Sequence, residues 1–337
     1  MSLAPEPVPA SYFESSGRID HLSGGVRLIP IDTPKGTFKV WTRRVGNNPT
    51  IKVLLLHGGP GASSDFQSVF DSFFPAAGIE FYHYDQLGSF LSDKPSEPEL
   101  WELPRFVDEV EQVRVALGLD SSNFYLWGQS WGGILAMEYA LAHQHHLKGL
   151  VISNMMASVP AYNAYATQVF ASQMDPAVLA ELRAFEAAED FANPRYTELL
   201  FEHHYRHHVL RLPPAEWPDA VQLGFAHLNT DVYIPMQGPS ELGASGKLKT
   251  WDRSPDLGQI RVPTLTIGAT HDTMDPQHMA WMATQVQQGR YHHCPNGSHL
   301  CQFDDSQVYF QGLIGFLKEV DAFAGADLNK SAAAAPR

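Results

Sequence analysis

Cysteine is nearly absent, with Cys294 and Cys301 the two in the 337 residues. Two thiols cannot form a disulfide scaffold, and with no second pair they do not make a zinc site. They read as buried or idle thiols, although the nearness of Cys301 to His299 also permits a regulatory role. Long apolar runs are missing too: none approaches the ~18 residues that span a bilayer. Positive charge is scarce, 23 basic residues against 37 acidic ones, a net −14. Such a surface repels phosphate backbones and anionic membranes, which excludes nucleic acid and lipid surfaces as partners. The first twenty residues carry prolines and acids where a secretory leader needs a basic start and an apolar stretch. The expectation is a soluble, cytoplasmic chain.

Hydrophobic residues make up 44% of the chain, enough for a sizeable core. From Gly17 to Val45 short alternating segments are broken by Ser23-Gly24-Gly25 and Pro34-Lys35-Gly36, the spacing of antiparallel hairpins. Five short runs follow without polar alternation: Ile51–Leu56, Ile79–Tyr84, Phe124–Trp127, Leu150–Ser153 and Thr264–Gly268. A further strand falls near Arg290–His293. Helical spacing occupies Pro104–Leu117 and about Trp131–His143. Strands buried on both faces and separated by helices predict a mostly parallel α/β sheet. Residues 156–259 break this rhythm, being far longer than one strand–helix–strand unit. They read as a helical cap inserted over the sheet's C-terminal edge, where open α/β sheets bind ligands. The expected division is a core in two parts, 1–155 and 260–325, the cap 156–259, and a frayed, disordered tail at 326–337.

Gly128-Gln129-Ser130-Trp131-Gly132 lies between a predicted strand and a predicted helix. A serine on that sharp turn projects its hydroxyl out of the sheet, and flanking glycines avoid collision with neighbouring backbone. A hydroxyl needs a base, and the base an orienting acid. In one known chain order the acid and then the histidine follow the serine. Asp272, in the loop after the Thr264–Gly268 strand, and His299, in Gly297-Ser298-His299, occupy those places. Asp275 competes with Asp272, and His271, His292 and His293 compete with His299. The glycines of His57-Gly58-Gly59-Pro60-Gly61 let backbone amides approach a ligand, so Gly59 with the amide of Trp131 is the expected oxyanion hole.

His57–Gly61, Tyr84-Asp85-Gln86-Leu87-Gly88-Ser89, Gly128–Gly133, Gln237-Gly238-Pro239-Ser240-Glu241 and Gly297-Ser298-His299-Leu300 together resemble the prolyl iminopeptidase family of α/β-hydrolases. The likeness runs from about Ser11 to Leu317. It implies an α/β-hydrolase fold and release of an N-terminal amino acid, usually proline, from small peptides through an acyl-enzyme, with no metal or other cofactor. Amino-acid amide hydrolysis by the same triad is the alternative, and a non-catalytic ligand-binding scaffold a second. The family supplies glutamates for the substrate's free amine; Glu241, in the matching Gly-Pro-x-Glu segment, is nominated first and Glu202 second. After Gly88 this chain departs from the family with Ser89-Phe90-Leu91-Ser92. The cap histidines 203, 204, 207 and 208 invite a metal-peptidase reading. They lack the glutamate of His-Glu-x-x-His, and a solvated or aromatic-packed helix is the expectation.

Overall fold

The computed structural model describes the backbone of residues 9–333 and the side chains through residue 323. Eight strands form one sheet: β1 (Val26–Thr33), β2 (Gly36–Val45), β3 (Lys52–Leu56), β4 (Glu80–Asp85), β5 (Phe124–Gln129), β6 (Gly149–Ser153), β7 (Thr264–Ala269) and β8 (Gly289–Cys294). Their spatial order is β1-β2-β4-β3-β5-β6-β7-β8. β1 and β2 form an antiparallel hairpin closed at Thr33 and Gly36, and β2 runs antiparallel to β4. All other pairings are parallel.

The central strands are short and buried along most of their length because helices cover both faces. Leu54, Leu56, Leu126 and Ile152 point to one face, where they pack with α1 (Leu103–Leu117) and α2 (Trp131–His143). The alternate residues Val53, Leu55, Trp127, Val151 and Ile267 point to the other, against Tyr309, Phe310, Leu313 and Leu317 of the C-terminal helix Ser306–Ala333. Period-two alternation thus survives, but both faces are apolar and it is invisible as polarity.

The chain turns from β3 to β4 on one side and then crosses to β5 on the other. The loops after β3 and β5 therefore flank the point where strand order reverses, the crevice where such sheets hold ligands. Between β6 and β7 the backbone leaves the sheet and returns at a single bridge, Ser158 with Asp252. The excursion is helical, with Val159–Tyr165, Pro176–Ala187, Pro194–Leu200, Asp219–Ala226 and Thr230–Met236 as its longer α segments and Arg206–His208 a single short one. Two π-helical stretches, Ala166–Ala171 and Phe201–Tyr205, interrupt the α geometry.

The C-terminal helix reaches Ala333, so 326–333 are helical where fraying was expected. Alanine has the highest helix propensity, and the run after Ser331 is alanine. Residues 334–337, the rest of the expected disordered tail, lie outside the described residues. Among the described residues no helix is long and apolar enough to cross a membrane.

Candidate active site

Ser130 stands between β5 and α2 with φ 56° and ψ −127°, a backbone conformation that L residues rarely adopt. The turn closes because its neighbours lack side chains. A Cβ on Gly128 would sit 1.9 Å from the Gly132 carbonyl oxygen, and one on Gly132 2.2 Å from that of Leu56. The Ser130 amide donates to the Ser153 carbonyl at 3.1 Å, fixing the turn to β6. As the residue preceding α2, Ser130 is followed by amides with no intrahelical acceptor, Trp131 first among them.

Asp272 and His299 come from loops 27 residues apart and meet: His299 Nδ1–H donates to Asp272 Oδ1 at 2.7 Å. Both side chains are buried. The amide of Met274 also donates to Oδ1, at 3.1 Å. The His299 backbone is held on three sides. Its carbonyl accepts from Gln129 Nε2 at 3.1 Å, and its amide donates to the His208 carbonyl at 2.9 Å. The next amide, of Leu300, donates to Val209 at 2.9 Å. Burial depresses the imidazole's proton affinity, but the Asp272 carboxylate, through charge and hydrogen bond, outweighs it, so the His299 pKa is raised above its ordinary value.

The competing residues have other partners. Asp275 caps the helix Pro276–Gln285 by accepting from the Gln277 amide at 2.9 Å. His271 is not among the residues lining the cavity that holds Ser130 and His299, and its backbone carbonyl accepts from His208 Nδ1–H at 3.0 Å. His292 Nε2–H donates to the Val308 carbonyl at 2.9 Å, and His293 pairs with the hydroxyls of Thr270 and Tyr291.

Ser130 and His299 line one cavity of about 180 Å³ with Gly58, Gly59 and Glu241. The rest of its wall is mainly apolar and aromatic, including Phe66, Phe191, Tyr205, Phe225 and Leu300. A Cβ on Gly58 would lie 3.2 Å from Ser130 Cβ, which measures how closely this loop approaches the serine. The loop is held by His57, whose Nε2 accepts from the Gln86 amide at 3.0 Å. Its Nδ1–H therefore donates to the Gly58 carbonyl at 2.8 Å, and burial lowers its pKa against the opposing charge of Asp85. Gln86 in turn accepts from Trp131 Nε1–H at 2.8 Å, joining the two loops that carry the expected oxyanion donors.

Glu241 lines the cavity from the helical excursion between β6 and β7. Tyr233 O–H donates to its Oε1 at 2.5 Å. Its backbone is gripped as well: the carbonyl accepts from Tyr162 O–H at 2.7 Å and His204 Nε2–H at 3.1 Å, and the amide donates to Tyr205 Oη at 3.3 Å. Burial and then the Glu241 charge push the phenol pKa values of Tyr162, Tyr205 and Tyr233 up, so these hydroxyls stay protonated.

Glu202 is placed elsewhere. It is exposed, pairs with Arg206 at 2.7 Å one turn away, and is not among the residues lining the cavity. It lies in the π-helical stretch Phe201–Tyr205. Tyr205 faces the cavity and Glu202 faces outward. The histidines divide by helix face, 203 and 207 outward and 204 and 208 inward, the spacing of four that one face shares. His204 is buried against Phe170, and burial pushes its pKa down to about 3. His203 and His207 are exposed. Among the described residues no group of three or more His, Cys, Asp or Glu side chains is arranged to hold a metal.

Sequence reasoning missed Asn154 and gave Gln86, quoted only within the family motif, no role of its own. Asn154 Nδ2–H donates to Asp272 Oδ2 at 2.7 Å. Its one sequence signal was a polar residue directly after the buried β6. Phe90, in the segment where the chain departs from the family pattern, stacks on the cap's His227 with ring centres 3.5 Å apart.

A family model for the alpha/beta hydrolase fold matches residues 52–306. The chain is 57% identical to a proline iminopeptidase of Elizabethkingia meningoseptica over 296 residues, covering 87% of this chain and 98% of that protein. It is 54% identical to a proline iminopeptidase of Flavobacterium johnsoniae over 294 residues, with the same coverages. Among solved structures it is similar to a proline iminopeptidase of Mycobacterium smegmatis at 27% identity and a TM-score of 0.78, covering 89% of this chain and 99% of that one.

Proposed function

Because the chain belongs to the proline iminopeptidase family of the α/β-hydrolases, we propose that it is a serine aminopeptidase that releases the N-terminal residue, proline foremost, from small peptides or amides. The observation that carries this reading is one cavity lined by Ser130, by a histidine whose far nitrogen is bonded to a buried carboxylate, and by a single acid, Glu241.

In the proposed reaction the substrate's protonated amine pairs with Glu241, where a buried cation needs a carboxylate. The proline ring occupies the apolar wall. His299, with Nδ1–H on Asp272, takes the Ser130 proton as Oγ attacks the carbonyl. The amides of Gly59 and Trp131 stabilise the oxyanion, an interaction of about 3 kcal/mol per donor in comparable sites. His299 then protonates the leaving amine. Water, activated by the same imidazole, hydrolyses the acyl-enzyme. No step calls for a cofactor or metal.

The division into a core of residues 1–155 and 260–325 and a cap of 156–259 belongs to this proposal. So does residence in the cytoplasm, which two buried free thiols suit. Small peptides or amides are the partners; a net charge of −14 disfavours nucleic acid and anionic membranes.

The test is hydrolysis of aminoacyl naphthylamides and amides by the wild type and Ser130→Ala. Prolyl naphthylamide should be cleaved, and the variant should lose about 10³-fold or more in kcat. A rate on Pro-Gly far below that on prolinamide would assign the amidase activity instead. Absence of both activities and of fluorophosphonate labelling would leave only a ligand-binding scaffold.

A further inference from the structure

Asp272 is the end of a longer line of hydrogen bonds that begins under the sheet. Trp127 Nε1–H donates to Tyr309 Oη at 2.9 Å. Tyr309 Oη and Ser153 Oγ are 3.0 Å apart, Ser153 O–H donates to Asn154 Oδ1 at 2.7 Å, and Asn154 Nδ2–H donates to Asp272 Oδ2. All five side chains are at most 1% exposed. The line joins β5, the C-terminal helix, the end of β6 and the loop after β7.

Its direction follows from chemistry. An indole N–H can only donate, and a carboxylate facing His299 Nδ1–H accepts. The amide of Asn154 must turn its NH₂ toward Asp272, where the Ser298 carbonyl at 3.3 Å also needs a donor. Its oxygen then accepts from Ser153 O–H and, at 3.3 Å, from Cys301 S–H. With both ends set, each hydroxyl between them points the same way: Tyr309 O–H to Ser153, Ser153 O–H to Asn154. Donors aligned head to tail polarise one another, so the last one binds more strongly than an isolated amide. Asn154 holds a φ of 51°, a left-handed conformation that asparagine tolerates better than most residues, and its amide is pinned to the Ile267 carbonyl at 2.8 Å.

We propose that Asn154, Ser153 and Tyr309 are positioning residues for the reaction, a one-way chain of donors that orients the Asp272 carboxylate and spreads its charge so that Oδ1 is presented to His299. The proposal rests on the serine-hydrolase reading for its kinetic consequence. Its electrostatic consequence is independent of any substrate. When a donor is removed, the carboxylate's charge bears more fully on the imidazole, and His299 holds its proton to higher pH.

The variants are Asn154→Gly, which suits the positive φ and deletes the last donor, Ser153→Ala, and Tyr309→Phe. On the purified full chain, the His299 titration is followed by NMR of its imidazole, and kcat and KM for prolyl naphthylamide are measured across pH. Asn154→Gly should lose on the order of 100-fold in kcat with KM within about twofold, an effect of the size seen where a buried partner orients an active-site ligand. Ser153→Ala should lose about tenfold and Tyr309→Phe less. The His299 titration and the acid limb of kcat/KM should move to higher pH in the same order. Unchanged kcat and unchanged His299 titration in Ser153→Ala and Tyr309→Phe, whatever the melting temperature does, would overturn the proposal. These two variants decide the matter even if Asn154→Gly does not fold. A wild type inert toward prolyl and fluorophosphonate reagents would sink the hydrolase reading alone, because the NMR titration still tests the chain.

Discussion

Ser130 is held in a backbone conformation that its own side chain does not favour, and the cost is borne by the surrounding turn. Ser130→Gly should therefore raise stability by about 1 kcal/mol while abolishing turnover, a trade readable as a higher urea midpoint in an inactive protein. Gly132→Ala should do the reverse, since its methyl would meet two backbone carbonyl oxygens that cannot move aside. A loss on the order of 3 kcal/mol in urea unfolding is expected. The pH dependence also belongs to this scale. His299 must be neutral to accept a proton, and its pKa lies above the ordinary imidazole value. Activity should be lost as pH falls through that raised value, so the acid limb of kcat/KM should sit above the usual histidine range of about 6.5. For the substrate amine, Glu241→Gln should raise KM for free-amine substrates far more than for N-blocked esters. Equal effects on both would remove Glu241 from that role.

Among the elements, the cap segment Phe201–Val209 has the most tasks, because it carries Tyr205 to the cavity and lends two carbonyls to the loop of His299. The helix Thr230–Met236 adds Tyr233, whose hydroxyl steadies the Glu241 carboxylate. Tyr233→Phe should cost about 1 kcal/mol of amine binding, a roughly fivefold rise in KM with kcat retained. Strands β3–β8 were legible in the sequence to within two residues because each central one is a short aliphatic run closed by glycine or a polar turn, whereas β1 and β2 were read only as hairpins within residues 17–45. The triad candidates were named from the sequence because each follows a strand in one chain order, and of their contacts the structure gives the His299–Asp272 bond. Glu202 was nominated from the family's use of glutamates for the amine, and that resemblance does not say which way a side chain faces; it is exposed and paired with Arg206. Asn154 was missed because its partner lies 118 residues away, and hydrogen-bond pairing at that distance leaves no local periodicity.

At the scale of the molecule, stability should be distributed unevenly. The sheet is sandwiched between two apolar layers, whereas the helices between β6 and β7 are short, broken by π-turns and prolines, and packed on one side of the site. Hydrogen exchange should be slowest in β5 and β6 and faster through residues 159–236, because opening free energy follows buried contact. Uniform protection across both regions would contradict that division. The grip of residues 208 and 209 on the backbone of His299 and Leu300 has a further consequence. In the proposed reaction these two bonds tie the roof of the site to the base, so a substitution that loosens residues 206–209 should lower kcat and not KM alone. With about 180 Å³ of room beneath that roof, short peptides should be cleaved far faster than a folded protein bearing the same first residue, and equal rates on the two would contradict the fit.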